Sequence, residues 1–333
     1  MNSQILNVGL VLLCASVACA ETNERVTYSN AHHGFSFDYP KAWTLIDRLN
    51  AGGALHLNSP EKTEEGRPVA EILFGVVGIS KKMDLKLFEK LTLMPEHAAE
   101  QGLTLDLNKA SETTLGGLKG RCHNYSRGEE AESEQFRSCL TLSSERGFCF
   151  TFVAARANFK KHEAVFNAVL ASFKTGAPDG KDSVFRNKEF GFGIDYPVTW
   201  NATANRPDTV IIKAPQESPD EKVPDMLYMG CIKRIENVTD ETMAKNAFEG
   251  LKRNPQATVL EPLSELKIGK FKAYRYAVSV AEREYTAQNT EYVISCEDYL
   301  IHMICINDVA RKETSAKIFD SMLKTFVVEK AHK

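Results

Sequence analysis

Gly34-Phe35-Ser36-Phe37-Asp38-Tyr39-Pro40-Lys41-Ala42-Trp43 returns 157 residues later as Gly191-Phe192-Gly193-Ile194-Asp195-Tyr196-Pro197-Val198-Thr199-Trp200. Glycine, an aromatic, Asp-Tyr-Pro and tryptophan hold one spacing, and these two tryptophans are the only two in the chain. The chain is therefore a tandem duplication, and each half must fold as the other does. The match continues downstream. Phe88-Glu89-Lys90-Leu91 and Pro95 recur 160 residues on as Phe248-Glu249-Gly250-Leu251 and Pro255. Gly116, Phe166, Leu170 and Phe173 recur 153 residues on as Gly269, Phe319, Leu323 and Phe326. The offset changes only between elements, where loops gain or lose residues.

Within the first half, residues 21–30 are polar and read as a short arm. Phe35-Ser36-Phe37 alternates as a strand, and Pro40 stops it because proline cannot donate to the ladder. Ala54–Leu57 and Ala70–Ile79 read as further strands, separated by the acidic loop from Pro60 to Pro68. Asp84 is a helix cap ahead of Leu87, Phe88, Leu91 and Met94, which fall at helical spacing, and Pro95 kinks or ends that helix. Three more strands are expected at Leu118–Tyr125, Gln135–Leu142 and Gly147–Ala154. A closing helix carries Val165, Phe166, Val169, Leu170 and Phe173 on one face. Residues 176–184 have linker composition. After them the plan restarts, with a second acidic loop from Pro215 to Pro224 and a helix beginning at Thr239. Consecutive strands joined by short polar tips favour antiparallel pairing. Helices must then cover the apolar faces, which gives an α+β fold of two tandem domains, each an antiparallel β-sheet covered by helices, at 21–175 and 185–333.

The opening [FI]-x-[FI]-D-Y-P-x-x-W, the apolar third strand, the helix after it and the terminal F-x-x-x-L-x-[ST]-F resemble the PsbP-like fold, which DcrB-like bacterial envelope proteins and a eukaryotic Ran-binding factor share. The resemblance spans both halves. It implies non-catalytic work, as extrinsic subunits, envelope accessory proteins and binding factors. It transfers no cofactor or partner residues.

Residues 1–20 contain no Lys, Arg, Asp or Glu, and Ala18-Cys19-Ala20 precedes Glu21. This reads as a signal peptide cleaved after Ala20. The alternative is a lipobox, Ser16-Val17-Ala18-Cys19, with a lipid tether on Cys19. No later segment reaches the length of a membrane span, so the mature chain is expected to be exported, periplasmic or secreted, or else anchored to the envelope. A net charge of −3 argues against nucleic acid as the main partner.

Outside the leader stand Cys122, Cys139, Cys149, Cys231, Cys296 and Cys305, with no CxxC among them. In an exporting compartment they are free to oxidise. Cys139 and Cys149 are expected to be neighbours across a hairpin centred on Ser144, while Cys122 competes for Cys139 across a turn near Ala131.

Candidate sites are few. His32-His33 with Asp38 could ligate a metal, but the second half has Glu189, Phe190 and Asp195 there, so metal: none is the expectation. Gly116-Gly117 precedes a strand and reads as a turn, because a phosphate cradle needs a helix N-terminus. Neither G-x-S-x-G nor a P-loop occurs, so catalytic: none and cofactor-binding: none follow. Tyr39, Pro40, Trp43 and their copies Tyr196, Pro197, Trp200 either form a ligand shelf or end a strand and plug the core; both tryptophans are expected to be buried. The acidic loops are candidate contacts for a basic partner or a cation. Asn124, Asn201 and Asn237 head glycosylation sequons. The sequence thus points to an exported, non-enzymatic accessory or protein-binding protein, or alternatively to a small-molecule or lipid carrier with a pocket between sheet and helix.

Overall fold

Phe35 and Phe37 are buried in the computed structural model while Ser36 and Asp38 are half-exposed, as alternation on a strand requires. The structure describes residues 24–328 except 50–52, 129, 131–132, 217–220 and 282–284. The expected leader at 1–20, with Cys19, lies outside the described residues.

The first unit runs β1 (Arg25–Asn30), β2 (Phe35–Pro40), β3 (Thr44–Asp47), β4 (Leu55–Asn58), β5 (Ala70–Gly78), α1 (Leu85–Leu93), α2 (Pro95–Glu100), β6 (Ser111–Leu115), β7 (Leu118–Ser126), β8 (Glu134–Leu142), β9 (Arg146–Ala155), α3 (Arg156–Ser172) and β10 (Lys174–Thr175). The second runs β11 (Ser183–Asn187), β12 (Phe192–Tyr196), β13 (Asn201–Arg206), β14 (Thr209–Lys213), β15 (Met226–Lys233), α4 (Asp240–Lys252), β16 (Ala257–Ile268), β17 (Phe271–Ala281), β18 (Thr286–Ser295), β19 (Tyr299–Asp308), α5 (Lys312–Lys324) and β20 (Val327–Val328). Each unit holds a seven-stranded antiparallel sheet, in the orders β3-β4-β5-β9-β8-β7-β6 and β13-β14-β15-β19-β18-β17-β16. Each also holds a three-stranded sheet, β1-β2-β10 or β11-β12-β20. The two topologies are the same, as the repeat demands.

One face of the first large sheet buries Leu57, Ile72, Phe74, Phe150 and Phe152 against Phe35 and Phe37 of β2 and Phe166 and Val169 of α3. Each large apolar side chain removed from water there contributes about 1.5–3 kcal/mol. The expected cover of helices is thus shared with a small second sheet. Part of that sheet is the segment 21–30 expected to be an arm: Arg25–Asn30 pairs with β2 along its whole length. On the opposite face, Phe88 of α1 packs with Leu140 and Ile79. Gly147 makes room for it, since a Cβ there would sit 2.4 Å from the Phe88 ring.

Two expectations change. Helical spacing grouped Leu87, Phe88, Leu91 and Met94, yet only Phe88 of these joins the core, together with partly buried Leu85 and Leu93. Leu91 and Met94 are 41% and 53% exposed. Asp84 caps α1 as expected, accepting from Leu87 N. The helix ends at Met94 in the left-handed region (φ 40°), where Pro95 starts α2.

The second change is the β8–β9 register. Cys139 stands opposite Phe150, and Cys149 opposite Leu140. The register is one residue off the expected pairing, so Cys149 lies on the face of the sheet opposite Cys139. Cys139 is directly opposite Cys122 and is bonded to it. Gly116 and Gly117, at φ 57° and 81°, form the tight turn between β6 and β7, the conformation a two-residue hairpin loop asks of both residues.

Candidate functional site

The repeated motif does the same local work twice. Proline ends the strand of the small sheet, and the tryptophan amide closes a turn onto the proline carbonyl, Trp43 to Pro40 and Trp200 to Pro197. Both indoles are buried, at 3% and 6% exposed. Trp200 meets the Phe319 ring of α5 edge-on at 5.8 Å, and Trp43 meets His162 of α3 in the same way at 5.9 Å.

What lies outside the turn differs between the copies. In the first unit Lys41 and Ala42 are exposed. In the second, the turn is pressed onto the end of β5 of the first unit. The Asn201 amide grips Gly78 at both backbone groups: Gly78 N donates to Oδ1 at 2.8 Å and Nδ2 donates to Gly78 O at 3.2 Å. Arg146, beside Gly78 in the ladder, donates from Nη1 to Val198 O. A Cβ on Gly78 would stand 1.7 Å from Thr199 O. Only glycine fits there. An isolated glycine in an apolar strand signals such a close approach, and Gly78 is the residue from which the junction could have been read. The Asn201 sequon is spent on this contact, so a glycan on that nitrogen is incompatible with it.

Histidines tie the other side of the junction. His32 reaches Asp179 through Nδ1 at 3.2 Å and Ser183 through Nε2 at 2.9 Å. The linker backbone returns to the β1–β2 turn, with Gly176 N donating to Gly34 O and Asp179 N to Ala31 O. Burial, reinforced by Arg146 and His32 nearby, pushes the His33 imidazole down to about 4, so the ring is neutral at pH 7. Burial also lowers the pKa of Arg146, which is 2% exposed. Asp38 accepts from Thr27 instead of joining His32 and His33. Among the described residues, no group of three or more His, Cys, Asp or Glu is placed to hold a metal ion.

Next to the junction lies a cleft of about 590 Å³ walled by both units. Ile79, Trp200, Pro215 and Ile318 supply apolar wall; Lys81, Lys82 and Glu145 come from the first unit and Asp225 and Arg311 from the second. Arg311 pairs with Glu221 and Asp225, and Ser315 Oγ donates to Asp225 at 2.7 Å. The second acidic loop is thereby tied to the start of α5. The first acidic loop does likewise: Glu61 accepts from Lys161 of α3 at 2.7 Å and faces His162. These carboxylates face cations of their own unit.

Residues 16–175 match the family model described as PsbP-like protein. No curated protein matches the chain. Among solved structures, cyanobacterial PsbP (CyanoP) from Synechocystis sp. PCC 6803 is 17% identical, with 49% of this chain and 96% of that one covered at a TM-score of 0.36. LpqN of Mycobacterium tuberculosis, described as involved in cell envelope biogenesis, is 11% identical, covering 46% of this chain and 91% of its own at 0.36. The immunity protein TplEi of Pseudomonas aeruginosa is 9% identical, covering 91% and 97% at 0.27. They lend this chain no functional property. No helix among the described residues is long and apolar enough to cross a membrane.

Proposed function

We propose that this is an exported, non-catalytic accessory protein that holds a segment of a protein partner in the cleft between its two units. The supporting observation is the position of that cleft. It opens between the units, whereas the sheet face under α3 or α5 is filled, by Phe74, Phe148, Phe150, Phe152 and Phe166 in the first unit and by Ile194, Ile212, Met229, Ile301 and Met303 in the second, and the cleft of about 460 Å³ beside α1 is lined mostly by charged side chains. A carrier would need room between sheet and helix. An open groove with apolar walls and charges of both signs on its rim suits an extended peptide, whose side chains and backbone both need partners. Export rests on the composition of residues 1–20.

The test is a photo-crosslinking residue at Thr314, exposed on the cleft wall, with Glu112, on the edge strand β6, as control. Exported protein is irradiated in its native fraction and the adducts are identified by mass spectrometry. A defined protein adduct at Thr314 and not at Glu112 supports the reading. Lipid or small-molecule adducts alone, or the same adducts at both positions, sink it.

A further inference from the structure

Helix α1 turns an apolar stripe outward. Phe88, Leu85 and Leu93 face the sheet, so at 100° per residue Leu87, Lys90 and Leu91 share the opposite side, while Lys86 stands on the flank, at a cleft it lines with Asp84, Glu112 and Arg121. Leu91 and Met94 are exposed, Leu87 is half-buried, and none of the three belongs to a core cluster. Met94, 53% exposed, stands at the corner between α1 and α2. Lys86 and Lys90 are exposed beside the stripe, and neither enters an ion pair with another described residue. The nearby acids are Asp84, whose carboxylate caps Leu87 N, Glu89, buried against Arg121 and His123, Glu112, which lines a cleft with Lys86, and exposed Glu96 and Glu100 on α2.

The second unit shows what the repeat requires of this helix and what it does not. There Ala247 and Leu251, the counterparts of Leu87 and Leu91, pack against Tyr276. Asn246, Gly250 and Asn254 replace Lys86, Lys90 and Met94. The fold therefore needs neither the exposed apolar stripe nor its lysines.

We propose that the outer face of α1 is a peripheral docking surface for an anionic lipid bilayer, with Leu87, Leu91 and Met94 entering the headgroup boundary and Lys90, with Lys86 on the flank, meeting lipid phosphates. The chemistry is that of interfacial helices: apolar side chains on the buried side, lysines flanking them. Lysines beside an apolar stripe favour an anionic surface with an apolar interior over an apolar protein patch.

The test is vesicle flotation with phosphatidylcholine liposomes, pure or containing phosphatidylglycerol, run on the full chain and on residues 21–333. The expected result is binding to the anionic vesicles that weakens with salt. Lys86→Gln and Lys90→Gln should each lower the partition coefficient about fivefold, the effect of one lysine near a charged bilayer. Leu91→Ser with Met94→Ser should lower it at least as much while leaving the circular dichroism and melting curve unchanged, because neither side chain is in the core. Equal binding to neutral vesicles, no loss in the variants, or no binding overturns the proposal. Retention of immobilised polyglutamate in place of vesicles also overturns it and reassigns the face to an acidic polypeptide.

Discussion

Gly78→Ala tests the junction at the point where it is tightest. The added methyl would begin 1.7 Å from Thr199 O, and ordinary contact starts at 3.4 Å, so the second unit must retreat by roughly the same distance again. A backbone carbonyl has no rotamer in which to yield. Retreat breaks both Asn201 bonds, about 0.5–1.5 kcal/mol each, and the charge-assisted Arg146–Val198 bond, about 1.5–3 kcal/mol. The junction then loses on the order of 3–5 kcal/mol, enough to shift a closed pair largely to the open one. Gly78 is not in the left-handed region. Alanine therefore suits the strand itself, and within the first unit alone the change should be neutral or stabilising by about 0.4–1 kcal/mol. Small-angle X-ray scattering should report a larger radius of gyration for the variant, and limited proteolysis should cut 176–182 faster. An unchanged scattering profile, or a loss of stability equally present in residues 24–178 carrying the same change, would refute the reasoning.

Other outcomes follow from single contacts. Trp200→Ala should cost about 3–5 kcal/mol in its own unit, read as a lower denaturation midpoint for that unit only. Non-reducing peptide mapping should join Cys122 to Cys139, and Cys139→Ser should lower stability by about 3 kcal/mol, as opening a loop of this size does. Cys149, whose thiol burial pushes up to about 11, should resist alkylation at pH 8 until the protein unfolds. His33 is held neutral with its pKa lowered to about 4 against an unfolded value near 6.5. Its contribution is complete above pH 6.5 and is lost as pH falls from there to 4, by about 3 kcal/mol. His33→Gln should therefore flatten the pH dependence of the midpoint across that window.

The duplication, the antiparallel sheets and the closing helices were legible because periodicity and turn chemistry are local. Strands were placed at Leu118–Tyr125 and Gln135–Leu142 and lie at Leu118–Ser126 and Glu134–Leu142. The cap Asp84 and the helix start at Thr239 were legible because both side chains bond within their own turn, Thr239 as the cap of α4. Four things escaped, besides the short strands β3 and β6. The pairing of Arg25–Asn30 depends on a partner strand, and its own composition is too polar to announce one. The β8–β9 register hung on one residue of turn length, which sets Cys149 on the face opposite Cys139. On α1, apolar residues occur on both faces, and spacing alone cannot say which set the sheet will take. The junction was least visible, since its contacts fall on backbone groups of Gly78, Val198 and Thr199 and only the missing side chain of Gly78 signals a close approach.

A head-to-tail contact between copies of one fold would ordinarily propagate, each unit's turn seated on the strand end of the unit before it. Here the series terminates itself. At the end of β15, where the next turn would seat, Lys233 and Tyr299 form the last ladder pair in the place of Gly78 and Arg146. Lys233 puts a long exposed side chain where the approach demands none. The free turn of the first unit offers Thr44 where Asn201 supplies its amide, and a hydroxyl cannot span both backbone groups. Neither end of the pair is complementary to the other, so the contact that joins the halves of one molecule gives its neighbours nothing to build a fibre on.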